Sequence, residues 1–160
     1  MLIRAARPGD ETAIWAIIEP ILRAGETYTL PRDWTREQAL EYWFAPPHEV
    51  FVAEEDVQVL GTCFLTPNQE GGGAHVANCG FMTAAEANGR GVASAMCQHS
   101  LDTARKQGFY AMQFNFVVST NERAIALWQR FGFQVLTRLP GAFQHPTHGR
   151  VDALLMYQIL

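Results

Sequence analysis

The chain predicts an α+β fold: one mixed, mostly antiparallel sheet with about four helices, forming a single domain over residues 1–160. Three observations lead there. Apolar periodicity gives the order strand, two helices, three strands, helix, strand, helix, two strands, which mixes hairpins with crossover helices. Glycine and proline mark most of the junctions, and no linker or repeat divides the chain. Composition is ordinary for a globular protein, with 48 % hydrophobic and 18 % charged residues. A chain of 160 residues also suffices to bury roughly two thirds of its unfolded surface.

Leu2–Ala5 reads as a short strand. Asp10 is placed to cap a helix containing Ile14, Trp15, Ile17, Ile18, Ile21 and Leu22. Pro20 is expected to kink or divide it, and Gly25 to end it. A polar and aromatic loop, Glu26-Thr27-Tyr28-Thr29-Leu30-Pro31, leads to a second helix from about Thr35 that stops before Pro46-Pro47. Val50–Glu54 and about Val57–Leu65 read as strands, with Glu55-Asp56 as the turn between them. Pro67–Gly73 is an exposed loop, and His75–Met82 is the next strand.

A helix over Val92–Gln107 follows, with Ala93, Met96, Cys97, Leu101 and Ala104 at helical spacing and Gly108 as its stop. Ala111–Val118 is an apolar strand. Glu122–Phe131 is a helix closed by Gly132. Gln134–Leu139 and Val151–Ile159 are the last strands, separated by an irregular Pro140–Arg150 stretch.

The formal charge is −4 and no basic run exceeds two residues, so no nucleic-acid groove is expected. No apolar run reaches the length of a membrane span, and the first residues lack a secretion-type apolar segment. Three widely spaced cysteines, Cys63, Cys79 and Cys97, show no zinc or CxxC pattern. They read as small buried hydrophobes, with the cytoplasm as the expected compartment. No histidine and carboxylate spacing suggests a metal.

Two segments carry chemistry. Asn88-Gly89-Arg90-Gly91-Val92-Ala93 lies between a strand and an amphipathic helix. Gly89 and Gly91 let the backbone approach a ligand, and the first-turn amides of the helix suit a pyrophosphate. The turn alone is equally consistent with an ordinary strand-to-helix connection. A nucleotide P-loop is excluded because no Gly-Lys-Ser/Thr closes the motif, and the dinucleotide fingerprint lacks its third glycine. The other segment is Ser119–Phe133. Structurally it reads as a Ser119/Glu122 capping box ahead of a helix burying Ala124, Leu127, Trp128 and Phe131, with Asn121 itself a possible cap.

Together, about thirty residues apart and in this order, the two segments resemble the GCN5-related N-acetyltransferase superfamily, over nearly the whole chain. The family motif Gln/Arg-x-x-Gly-x-Gly/Ala reads here as Asn88-x-x-Gly91-x-Ala93, with Asn88 departing from it. The resemblance implies an acyl-CoA N-acyltransferase fold whose sheet splays between its fourth and fifth strands, opening a cleft between His75–Met82 and Ala111–Val118. It implies that acetyl-CoA is the co-substrate. Phe81, Met82 and Thr83 would pair with the pantetheine arm through their backbone, Gly89, Arg90, Gly91, Val92, Ala93 and Ser94 would hold the pyrophosphate, and Asn121 and Trp128 would line the same site. Gly149–Met156 and the Glu26–Thr29 loop resemble the phosphinothricin-acetyltransferase subgroup. A homodimer is common in similar proteins.

Many family members place a glutamate five residues before the cofactor asparagine and a tyrosine acid seven after it; those positions are Phe116 and Trp128. Neither transfers protons at useful pH. Tyr28 and Asn115 are therefore the catalytic candidates. Glu26, Thr27, Tyr28 and Asn115 are the acceptor-side candidates. His75 is expected at the surface, His145 and His148 in a loop, Tyr42-Trp43-Phe44 in the core or a dimer contact, and Trp34 in an acceptor pocket. The expected activity is acetyl transfer to a small-molecule amine, such as an amino acid or an analogue. A peptide or protein acceptor, or a non-catalytic acyl-CoA sensor, is the alternative.

Overall fold

Seven strands and four helices account for the computed structural model, which describes residues 1–160. In chain order they are β1 (Leu2–Ala5), α1 (Glu11–Ala24), α2 (Arg36–Trp43), β2 (Glu49–Glu55), β3 (Gln58–Pro67), β4 (Val76–Thr83), α3 (Val92–Lys106), β5 (Ala111–Val118), α4 (Glu122–Arg130), β6 (Gln134–His145) and β7 (Gly149–Ile159). The sheet order is β1-β2-β3-β4-β5-β7-β6. Every neighbouring pair is antiparallel except β4 and β5.

That parallel pair positions the site. It is hydrogen-bonded only at Val76↔Ala111 and Ala77↔Met112, after which the two strands diverge. Residues 78–83 of β4 and 113–118 of β5 face each other across an open splay, as the resemblance implied.

Side-chain alternation on β3 assigns the helices to faces. A Cβ on Gly61 would meet Val92 and Met96 of α3, and Cys63 approaches Ser100 of α3. Thr62 instead accepts a hydrogen bond from the buried Trp43 indole of α2, and Phe64 packs edge-on to that indole. Helices α1 and α2 thus cover one face and α3 the other. One core cluster gathers Ile14, Ile18 and Leu22 of α1 around Val52, Leu60 and Met82. A second joins Cys97 and Leu101 of α3 to Phe114, Leu127, Trp128 and Met156.

Several local expectations change. Helix α1 runs unbroken through Pro20. Asp10 makes no side-chain cap, because its carboxylate accepts from the Arg4 guanidinium at 2.8 and 3.1 Å and from the Arg7 amide at 2.7 Å. Asn121, not Ser119, caps α4 by accepting from the Ala124 amide. The β2–β3 turn lies at Asp56-Val57, both with positive φ, one residue later than expected.

The irregular stretch expected over Pro140–Arg150 is a long hairpin. Pairs Phe143↔Val151 and His145↔Gly149 continue the ladder past a bulge between Leu139 and Phe143. Pro140 is tolerated there because β6 is the edge strand, where a missing N–H breaks no ladder. His145 is correspondingly no loop residue: it is buried, and its Nδ1 accepts from the Thr147 and His148 amides at 3.2 and 3.3 Å, closing the hairpin turn.

Candidate active site

Two cavities meet at the splay. The larger, about 1070 Å³, lies on the α1/α2 side and is walled by Tyr28, Tyr42 and Phe64 among others. The smaller, about 410 Å³, lies over the N-terminus of α3 and the face of α4. They share Phe81, Thr83, Asn88, Asn121, Ala124 and Trp128, so those residues border both compartments.

The smaller cavity has the chemistry of an anion site. Gly89 and Gly91 adopt left-handed backbone, φ 81° and 80°, with nothing within 4 Å of a built Cβ. They are glycine because of the dihedral, not for lack of space. The amides of Gly91, Val92, Ala93 and Ser94 have no backbone acceptor at the start of α3 and border this cavity. Arg123 and Arg130, seven residues apart on one face of α4, add positive charge. Sequence reasoning missed these two arginines, although their spacing was available to find them.

Two members of the expected cofactor set are placed differently. The Arg90 guanidinium pairs with Glu55 and its amide donates to the Ala87 carbonyl at 3.2 Å, so neither group is free for phosphate. Met82 presents its backbone to β3, not to the splay. Strand groups alternate direction, and Phe81 already points its N–H and C=O outward. Phe81 and Thr83 are the residues whose backbone faces the opening.

Phe81 is the junction. Its ring packs on Trp128 (centroids 5.0 Å apart), which in turn packs on Phe114 at 5.2 Å. Its backbone is bridged by one side chain from the opposite compartment. The Tyr28 hydroxyl donates to the Phe81 carbonyl and accepts from the Phe81 amide, both at 2.8 Å. Burial pushes the Tyr28 phenol well above its ordinary pKa, so it is protonated at neutral pH.

On the other side of the splay, β5 shifts register between Phe114 and Val117, a bulge that re-aims Asn115 and Phe116. The Asn115 amide donates to Asn68 at 2.7 Å and accepts from Gln113 at 2.8 Å. Phe116 packs toward Phe143 of the hairpin, centroids 6.1 Å apart. Glu26, Thr27, Tyr28 and Asn115, distant in sequence, line the one large cavity.

Tyr42, Phe64 and Asn78 also line it. Of the Tyr42-Trp43-Phe44 cluster, expected in the core or a dimer contact, Trp43 is fully buried in the core whereas Tyr42 is 37 % exposed. Trp34 packs against Tyr42, centroids 5.6 Å apart, and does not reach the cavity. His75 is exposed, as expected, in the turn just before β4 and not on the strand itself. No group of histidine, cysteine or carboxylate side chains has metal-binding geometry, and no helix is long and apolar enough to cross a membrane.

Comparison with known proteins agrees with this geometry. The family model described as "Acetyltransferase (GNAT) family" matches residues 14–133. A GCN5-related N-acetyltransferase from Kribbella flavida superposes with a TM-score of 0.96 at 45 % identity, covering 99 % of this chain and 97 % of that one. The yncA structure from Salmonella typhimurium, solved with acetyl-CoA, shares the fold at 23 % identity and a TM-score of 0.87, covering 100 % and 94 %. The N-acetyltransferase aca1 of Schizosaccharomyces pombe is 26 % identical over 151 residues, 84 % of this chain and 72 % of that protein. With the splayed sheet, the free amides at the start of α3 and the family match in agreement, the chain belongs to the GNAT family and is an acetyl-CoA-dependent acetyltransferase.

Proposed function

We propose that this protein transfers the acetyl group of acetyl-CoA to the amine of a small molecule held in the α1/α2-side cavity. The observation that carries this reading is the junction at Phe81, where an anion-binding compartment and an aromatic-walled compartment share one strand edge. In this reading the Gly91–Ser94 amides, with Arg123 and Arg130, hold the pyrophosphate. Thr83 pairs with the pantetheine arm through its backbone, the Phe81 ring lies beside it, and Asn121 and Trp128 flank it.

Acetyl-CoA supplies an activated acyl carbon. The lone pair of the amine, once neutral, forms the new C–N bond to that carbon, the C–S bond breaks with its electron pair on sulfur, and the proton the amine gives up passes to water in the open cavity. Tyr28, protonated at the junction, turns its one O–H from the Phe81 carbonyl to the leaving sulfur and donates there; held neutral by burial, it does not act as the base. General-acid assistance of this kind contributes about 10²–10⁴-fold. The Asn115–Asn68–Gln113 amide network does not titrate, and it orients the acceptor. Glu26 and Thr27 complete the acceptor side.

The experiment is steady-state thiol release from acetyl-CoA across an amine panel, with a parallel thermal shift on coenzyme A. A ligand that binds the native state raises stability by RT ln(1 + [L]/Kd). Turnover with at least one small amine is expected. A thermal shift without turnover on any small amine refutes the reading.

A further inference from the structure

The charges around the larger cavity are lopsided. Its lining holds one cation, Arg4, and four carboxylates, Asp10, Glu26, Glu54 and Glu86. Arg4 is fully engaged: it chelates Asp10 with both terminal nitrogens, at 2.8 and 3.1 Å, and its Nε donates to Glu54 at 2.8 Å. Glu26 and Glu86 have no salt-bridge partner. The remaining polar side chains near the splay, including Asn78 and Asn115, are neutral, and the rings of Tyr28, Tyr42 and Phe64 line the same cavity.

An acceptor carboxylate entering this cavity would meet no free cation and two unpaired carboxylates. Glu26 and Glu86 are exposed, and their like charge opposes an approaching anion with no side-chain cation to offset it. A protonated amine arriving from water is drawn in by the same field, and a flat or apolar body packs on the aromatic wall. Resting on the acetyltransfer reading above, we propose that the acceptor is a primary amine without a carboxylate, carrying an apolar or aromatic body. An α-amino acid, the acceptor expected from the sequence, is disfavoured by the charge of the pocket.

The test uses matched pairs that differ only by the carboxylate: phenethylamine against phenylalanine, and tyramine against tyrosine. In thiol-release assays with the full chain, kcat/KM for the decarboxylated partner is expected to be at least about tenfold higher, the size of one unfavourable charge contact near a protein surface. Glu26→Lys, at an exposed position, should narrow that ratio by raising activity on the amino acid. Equal or better turnover of the amino acids overturns the inference and leaves the transfer reading intact. Turnover of other amines but of none of these four also overturns the inference alone. Silence on every amine overturns both.

Discussion

Tyr28→Phe removes one oxygen atom and tests the junction directly. That oxygen makes two hydrogen bonds to the Phe81 backbone, each 2.8 Å long, on the side of β4 that faces the splay. A typical intramolecular hydrogen bond contributes about 0.5–1.5 kcal/mol net, so losing two costs about 2 kcal/mol. For a domain of this size each kcal/mol corresponds to roughly 2–4 °C, which gives an expected fall of about 4–8 °C in Tm. The phenyl ring keeps its packing, because Phe conserves the volume. Coenzyme A binding should fall far less than catalysis, since the pyrophosphate contacts lie elsewhere. In thiol-release assays kcat should drop about 10²-fold or more if the hydroxyl is the proton donor. Scanning calorimetry and steady-state kinetics on the same preparation separate the two effects. A Tm within one or two degrees of wild type would refute the bridging argument. A destabilised variant with unchanged kcat would refute the donor role and leave the bridge as architecture.

Other outcomes follow from the same geometry. Gly91→Ala forces a Cβ into φ 80° at the start of α3; it should cost about 1–2 kcal/mol and weaken coenzyme A binding, measured by calorimetric titration, at least about tenfold as the amide array rotates. The hydrogen bonds from Arg4 hold the Asp10 carboxyl below its usual range against an opposing effect of burial, with the Arg7 amide and then the Arg4 charge adding to them. Because the folded pKa is depressed, the stability Asp10 contributes is present above the unfolded value near pH 4 and is lost as pH falls through the folded value. Asp10→Asn should therefore flatten Tm against pH below about pH 4. Burial pushes the Cys63 and Cys97 thiols up to about 12 and raises Cys79 as well. A disulfide reagent at pH 7.5 should accordingly label none of the three until denaturant is added, whereas prompt native labelling would contradict that burial.

The elements were legible wherever local physics dominates. Helical spacing in Val92–Lys106, the helix start near Thr35, and the left-handed glycines at the end of α1 and before α3 follow from backbone preferences that neighbouring residues express. Misreadings arose where a distant partner overrode a local signal. Asp10 was drawn from capping by Arg4 across a turn, and Pro140 was tolerated because β6 is an edge. Met82 was misassigned because backbone direction depends on strand register, which composition does not encode.

The sequence by itself determined the half of the site that we propose holds the cofactor. Asn88–Ser94 is a contiguous segment, and two glycines followed by a helix start carry their anion-binding geometry locally, with Asn121 and Trp128 one helix further on. The acceptor half was decided only by the tertiary structure. Glu26, Tyr42, Phe64, Asn78 and Asn115 come from five elements or loops, and Tyr28 reaches a residue 53 positions away. Side chains so far apart in the chain become one cavity only when the sheet splays, and the charge of that cavity is a property of their assembly.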